Sequence, residues 1–380
     1  MSPRTLRKRS VALFLSIFLL CILLSVLLFS RGSTDVPTRG TVEGKVAEQV
    51  DVFITNEASK GYAGSLVVEK DGTLILAKGY GFANRREKLP VTPDTIFDIG
   101  SVTKQFTAAA ILKLEEQGRL KVEDTISLYF DNIPEDKKNI TLHQLLTHTA
   151  GFPESLGNDY DPVLRDEYIN LAMRAKLKNP PGKTYEYSNA GYSLLAAIIE
   201  LVTGLSYETY LRKNLFEPAE MMETGYILPD WQSDKLAHGY TTSLLGSSRD
   251  MGTPLDYPFA KDGPYWNLRG NGGILSTAMD MHRWHQALKR NTILSEIAKK
   301  KMFTPCVSEG FWQKSHYGYG WVIMRTSQGT LQTHNGGNDI FYADIHRYVD
   351  VDAFIFITSS TGSRLDATKL SWQVTDILFD

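Results

Sequence analysis

Three short polar motifs, far apart in the chain, constrain it most: Ser101-Val102-Thr103-Lys104, then Tyr187-Ser188-Asn189, then His334-Asn335-Gly336-Gly337. If they act together, the fold must gather three distant segments at one place. A serine, a lysine three residues on, a second proton carrier and a glycine-rich strand edge are the parts that acyl transfer needs. A serine hydroxyl becomes a useful nucleophile only when a neighbour takes its proton. In a helix, the spacing of three puts Ser101 and Lys104 on one face. Phe106, Ala110, Ile111 and Leu114 recur at helical intervals, and Glu115 and Glu116 fall outside that apolar stripe. Gly100 reads as the helix entry. Ser101 then sits in the first turn, where free N–H groups and the dipole favour negative charge. Burial or a nearby cation lowers a lysine pKa, which makes Lys104 a candidate base. Taken alone, the pattern also fits an exposed Ser and Lys on an amphipathic helix.

Tyr187-Ser188-Asn189 lies between the loop Pro180-Pro181-Gly182 and an apolar stretch carrying Leu194, Leu195, Ile198, Ile199 and Val202 at helical spacing, with Gly204 as the stop. The motif therefore marks a loop-to-helix junction, either a functional one or a simple capped start. Tyr187 can carry a proton as phenol or phenolate, and Asn189 can bond a substrate amide or Lys104. The third motif follows the strand-like residues 329–333, and residues 340–345 resume the strand pattern. Glycines inside a strand often mark close approach of a ligand to backbone. An ordinary Asn-Gly turn is the other reading.

Together these motifs resemble the serine β-lactamase and penicillin-binding protein superfamily, with its S-x-x-K, tyrosine or serine-x-asparagine and K-T-G elements. Residues 97–107, 145–152 and 272–280 are similar to recurrent stretches of the class C β-lactamase-like branch, which includes esterases, D-aminopeptidases and D,D-peptidases. The resemblance runs from about residue 45 to the C-terminus. It implies an α/β (α+β) fold: an antiparallel sheet built from both chain ends, flanked by helices, with a largely helical inserted region and the active site between. It implies that Ser101 is acylated and that Lys104 and Tyr187 share the acid–base work. Asn189 would orient Lys104 and substrate. The N–H groups of Ser101 and Gly337 would form an oxyanion hole beside Gly336. His334 replaces the lysine that helps β-lactamases hold a carboxylate, and histidine is largely neutral near pH 7. The implied activity is hydrolysis of an ester or amide through an acyl-serine, as an esterase or peptidase more than an efficient β-lactamase. Peptide-like cell-wall fragments, small esters and β-lactams are the candidate substrates. A binding protein of the same fold without turnover is the alternative. No metal or organic cofactor is expected.

Residues 11–29 are almost wholly apolar and follow Arg4, Arg7, Lys8 and Arg9. That length spans a bilayer with its basic flank inside, so residues 1–32 are expected to anchor the chain in the cell membrane with the body outside the cytoplasm. A cleaved signal before a secreted or periplasmic body is the rival. Residues 33–44 read as a linker and residues 45–380 as the hydrolase domain. A net charge of −2 shows no basic excess for nucleic acid, and 42% hydrophobic content is ordinary for a globular chain. With only Cys21 and Cys306, the body has no internal disulfide, and Cys306 reads as a packed residue.

Val46, Val50, Phe53 and Ile54 suggest an opening helix. Asp71-Gly72 between apolar runs signals a hairpin. Further strands are expected near residues 320–324, 329–333, 341–346 and 353–358, and a last helix over 365–378. Gly79-Tyr80-Gly81 lacks the third glycine of a dinucleotide loop. His282 and His285 share a helix face, read here as solvated, and His148 reads as structural. Trp266, Trp312, Tyr317, Tyr319 and Trp321 serve the core or line a cleft.

Overall fold

The computed structural model describes residues 38–242, 248–310, 314–361 and 367–380. The expected anchor, the Cys21 position and Trp312 lie outside them. Among the described residues, no single helix is long and apolar enough to cross a membrane.

The hairpin forms where expected: strand β2 (Gly64–Lys70) turns at Asp71-Gly72 into β3 (Thr73–Tyr80). Both turn residues have positive φ, 51° and 72°, the geometry that matches the twist of the flanking strands. Thr38–Val42, inside the stretch expected to be a linker, instead forms an edge strand, β1, paired with β3. The opening helix α1 covers Lys45–Ser59.

The two chain ends meet in one nine-stranded antiparallel sheet. A short strand β4 (Phe97–Asp98) precedes the nucleophile segment and pairs outside that sheet with β5 (Leu275–Ser276). The C-terminal strands are β6 (Val307–Ser308), β7 (Ser315–Tyr317), β8 (Val322–Thr326), β9 (Gly329–Gly337), β10 (Tyr342–Tyr348) and β11 (Ala353–Ser359). The order is β1-β3-β2-β11-β10-β9-β8-β7-β6. β11 joins the ends, with Phe356 opposite Val67. β9 runs four residues past the expected strand, so Asn335-Gly336 is strand and not a turn.

Helices cover both faces. His346 meets Thr375 of the last helix α6 (Ala367–Phe379), whereas its neighbour Arg347 meets His285 of α5 (Ala278–Lys289). Successive strand residues point to opposite faces, so α5 and α6 lie on opposite sides.

Helix α2 (Lys104–Glu116) differs from its sequence pattern. It is buried nearly all round, from Lys104 to Leu112 and at Leu114, so it is a central helix and not an amphipathic surface one. Phe106 packs edge-on against Phe216 at 5.0 Å and Trp284 at 4.9 Å between ring centroids. The helical middle of the chain, beginning with α3 (Leu142–Leu146), collects around it. Helix α4 (Asn189–Thr203) stops at Gly204, whose φ of 72° closes it in the left-handed form.

His285 also departs from expectation. It is buried, stacked on Phe354 at 4.5 Å, and it converges with His282 on Glu69 of β2. Glu69, His285 and Asp352 lie close enough to share a metal ion. The Lys289 ammonium already bridges Glu69 at 3.0 Å and Asp352 at 2.5 Å, so the chain supplies its own cation there. Cys306 is exposed instead of packed. A Ser371–His346–Asp344 grouping has the residue types of a hydrolytic triad but is fully buried under α6, where it satisfies polar groups.

Candidate active site

Ser101 lies in a 3-10 turn, Gly100–Thr103, one turn ahead of α2 rather than inside it. The turn is set by Gly100, whose φ is 50°. Its N–H is held at 2.8 Å by the Asp98 carboxylate. Lys104 is the first residue of α2 and is fully buried. Its amine reaches Ser101 Oγ at 3.0 Å, Asn189 Oδ1 at 2.7 Å and the Asn271 carbonyl at 2.7 Å.

Those three contacts define the amine's chemistry. Two partners are amide carbonyls that only accept hydrogen bonds. A neutral amine has two N–H donors for them and one lone pair left, directed at the Ser101 hydroxyl. Burial pushes the Lys104 pKa well below 10.5, and Asp159 and Glu154 oppose the shift only in part. The neutral, proton-accepting amine is therefore accessible.

Tyr187 moves the other way. Burial raises its phenol, with Ser101 opposing and Glu154 and Glu309 adding to the rise. The phenolate that sequence left open is disfavoured, and the side chain stays a proton donor. Two proton carriers with pKa values pushed in opposite directions suit a base and an acid. The Lys104 Nζ lies 4.8 Å from the Tyr187 ring centre.

Ser188 caps α4 by accepting from the Gly191 N–H, and Asn189 is the helix's first residue. The motif is thus a helix start and a site component at once. The Asn189 carbonyl oxygen faces Lys104, which fixes its amide orientation.

The glycine pair of β9 lies against the nucleophile turn. A Cβ on Gly336 would overlap the Ser101 nitrogen, and one on Gly100 would overlap the Gly337 nitrogen. Only glycine permits this backbone-to-backbone approach, which brings the Ser101 and Gly337 nitrogens to the same seam.

His334 is buried and carries no useful charge. Its Nδ1 lies 2.6 Å from the Asn335 carbonyl, so Nδ1 holds the proton and Nε2 accepts from the Tyr317 hydroxyl at 3.0 Å. Burial, with Lys104 nearby, pushes its pKa down to about 4. It shapes the wall and supplies no cation.

A cavity of about 540 Å³ opens over Ser101, walled by Tyr187, His334, Gly336 and Gly337. Lys104 and Asn189 lie behind Ser101. All seven residues expected at the site are thus brought together.

Sequence reasoning missed four contributors. Asn271 offers a backbone carbonyl, held by its side chain bonding Ser193 Oγ and the Asn267 carbonyl, each at 2.8 Å. Asp98 and Asn338 tie the two backbone segments together at 3.1 Å. His148 is at the site and not merely structural. Its ring lies 4.4 Å from that of Tyr187, and its Nδ1 accepts the Ser188 N–H at 3.0 Å. His148 keeps this place with φ of 58°, a strained value for a non-glycine residue. Of the aromatics singled out, Tyr317 lines the cavity, whereas Trp266, Tyr319 and Trp321 are buried in the core.

The beta-lactamase family model matches residues 50–371. The chain belongs to the beta-lactamase family. Penicillin-binding protein 4* of Bacillus subtilis is 29% identical over 79% of this chain and 68% of its own length. The putative penicillin-binding protein PbpX of the same organism is 33% identical over 69% of this chain, which spans 62% of the relative. Among solved structures, the octameric penicillin-binding protein homologue from Pyrococcus abyssi matches with a TM-score of 0.76 and 28% identity, over 87% of this chain and 77% of that one. This beta-lactamase-family chain is a serine hydrolase.

Proposed function

We propose that the chain cleaves an ester or amide through an acyl-Ser101 intermediate, with Lys104 as base and Tyr187 as acid. The carrying observation is the Lys104 amine, which spends both donors on Asn189 and Asn271 and turns its lone pair toward Ser101. Lys104 takes the Ser101 proton as Oγ attacks the substrate carbonyl. The negative oxygen settles between the Ser101 and Gly337 N–H groups. The Tyr187 phenol protonates the leaving alkoxide or amine and is reprotonated from the Lys104 ammonium. Water then enters, gives up a proton by the reverse route, and attacks the acyl carbon to release acid and free Ser101.

Esterase or peptidase activity fits better than efficient β-lactam hydrolysis, because neutral His334 stands where a carboxylate would need a cation. The apolar residues 11–29 behind a basic flank support a body held outside the cytoplasm at the membrane.

Pre-steady-state hydrolysis of a chromogenic phenyl ester tests the reading. The wild type should release a burst of about one phenol per protein before steady turnover. Ser101→Ala should show neither burst nor turnover. Full turnover by Ser101→Ala would refute the reading.

A further inference from the structure

The cavity over Ser101 has a one-sided charge pattern. Its charged walls are Glu309 and Asp339, and among the described residues no lysine or arginine lines it. The Lys104 amine lies behind Ser101, neutral and fully committed to Ser101, Asn189 and Asn271. Four tyrosines, Tyr185, Tyr187, Tyr317 and Tyr342, complete much of the wall. Carboxylates beside aromatic faces are the setting that recognises an ammonium group, through charge and through the ring quadrupole.

Glu309 is held in place rather than left free. The Tyr185 hydroxyl donates to its Oε1 at 3.1 Å, and Tyr185 stays a phenol because burial and the Glu309 charge both raise its pKa. Among the described residues none bonds the other carboxylate oxygen, which is the one offered to a ligand. Glu309 also acts electrostatically on Tyr187, which places its charge within range of the reacting group. These carboxylates wall the same cavity as the activated serine, which separates them from ordinary surface acids. They also disfavour any substrate that brings a carboxylate to the same wall.

We propose that the site selects acyl substrates bearing a cationic ammonium group, and that Glu309, fixed by Tyr185, is the anchor for that cation. This rests on the reading of Ser101 as nucleophile. It assigns the substrate class as amino-acyl esters or amides with a free amine, in place of N-blocked or anionic acyl groups.

Two fluorophosphonates test it, one with a terminal trimethylammonium and one with the neutral tert-butyl isostere. Their rates of Ser101 labelling are read by intact mass on the full chain. The cationic probe should label at least about tenfold faster, a difference of about 1.4 kcal/mol. Glu309→Gln should abolish that preference, bringing the ratio of the two labelling rates to about one, and Tyr185→Phe should reduce the ratio. Added salt should weaken the preference, as for any partly solvated charge pair. Equal rates for the two probes on the wild type would overturn the proposal and leave the nucleophile intact. A preference that survives Glu309→Gln would overturn Glu309 as anchor. Failure of both probes to label Ser101 would instead refute the underlying reading, and this inference with it.

Discussion

The Asp98 carboxylate and the Asn338 amide, 240 residues apart in sequence, meet at 3.1 Å across the seam between the nucleophile turn and the glycine strand. On its side, Asp98 also holds the Gly100 N–H at 2.8 Å. On the other side, the Asn338 oxygen accepts the Ile340 and Phe341 N–H groups at 2.9 and 2.8 Å. The pair therefore clasps the two backbones that carry the Ser101 and Gly337 nitrogens.

Asp98→Asn sets one amide NH2 against another and breaks the clasp. Ester turnover should fall by about 10²-fold, the scale of losing one oxyanion donor.

The same variant has a pH signature. Burial raises the Asp98 pKa to about 6 from its usual 3.8, with the Gly100 and Asn338 bonds opposing. A raised acid adds stability below its unfolded pKa and loses it as pH rises through the folded value. The variant cannot titrate. Its unfolding free energy relative to wild type should therefore rise between pH 4 and pH 7, by up to about 3 kcal/mol at about 1.4 kcal/mol per pH unit. Urea unfolding at both pH values measures it, and an unchanged difference would contradict the assignment.

Lys104→Met removes the lone pair while keeping most of the bulk. kcat/KM should drop by about 10²–10⁴, the range for general base loss. Lys104→Arg should not rescue it, because guanidinium stays charged and offers no lone pair. In the wild type, the acid limb of the pH profile should lie well below the usual lysine range, since burial depresses this amine.

Several of these groups were readable from the chain alone. The Ser101–Lys104 spacing, the Asp71-Gly72 hairpin and the Gly204 stop depend on neighbours within a few residues, where periodicity and turn chemistry act directly. The rest depend on pairings through space. Nothing near residue 271 shows that its backbone carbonyl will meet Lys104, and nothing near residue 285 shows that this histidine faces buried Glu69. α2 reads as amphipathic because Glu115 and Glu116 fall outside the stripe of Phe106, Ala110, Ile111 and Leu114, yet its polar residues Lys104, Gln105 and Thr107 lie in the core. They are buried because each has a distant partner, as Thr107 does in the Gly270 carbonyl at 2.6 Å. The edge strand β1 was hidden in a polar stretch, since edge pairing uses backbone groups that sequence does not mark.

The central position of α2 makes its packing a stability test. Phe106→Ala empties the contact with Phe216 and Trp284. It should cost about 3–5 kcal/mol in chemical denaturation, as for other buried phenylalanines. A cost under about 1 kcal/mol would contradict a fully packed site.

His334→Lys places a cation where the wall now has a neutral ring. Acylation by a penicillin should quicken by about tenfold, because the β-lactam carboxylate gains a partner worth about 1.4 kcal/mol. Intact mass against time measures it. No gain would show that the histidine is not what limits carboxylate recognition.

Every proposed step depends on Ser101 as the activated nucleophile. Intact-mass and peptide mapping of the full chain after exposure to a simple alkyl fluorophosphonate tests this most directly. The prediction is a single adduct on the peptide containing Ser101, absent in Ser101→Ala and much slowed in Lys104→Met. An adduct that persists in Ser101→Ala, or a wild type that takes none, would contradict it.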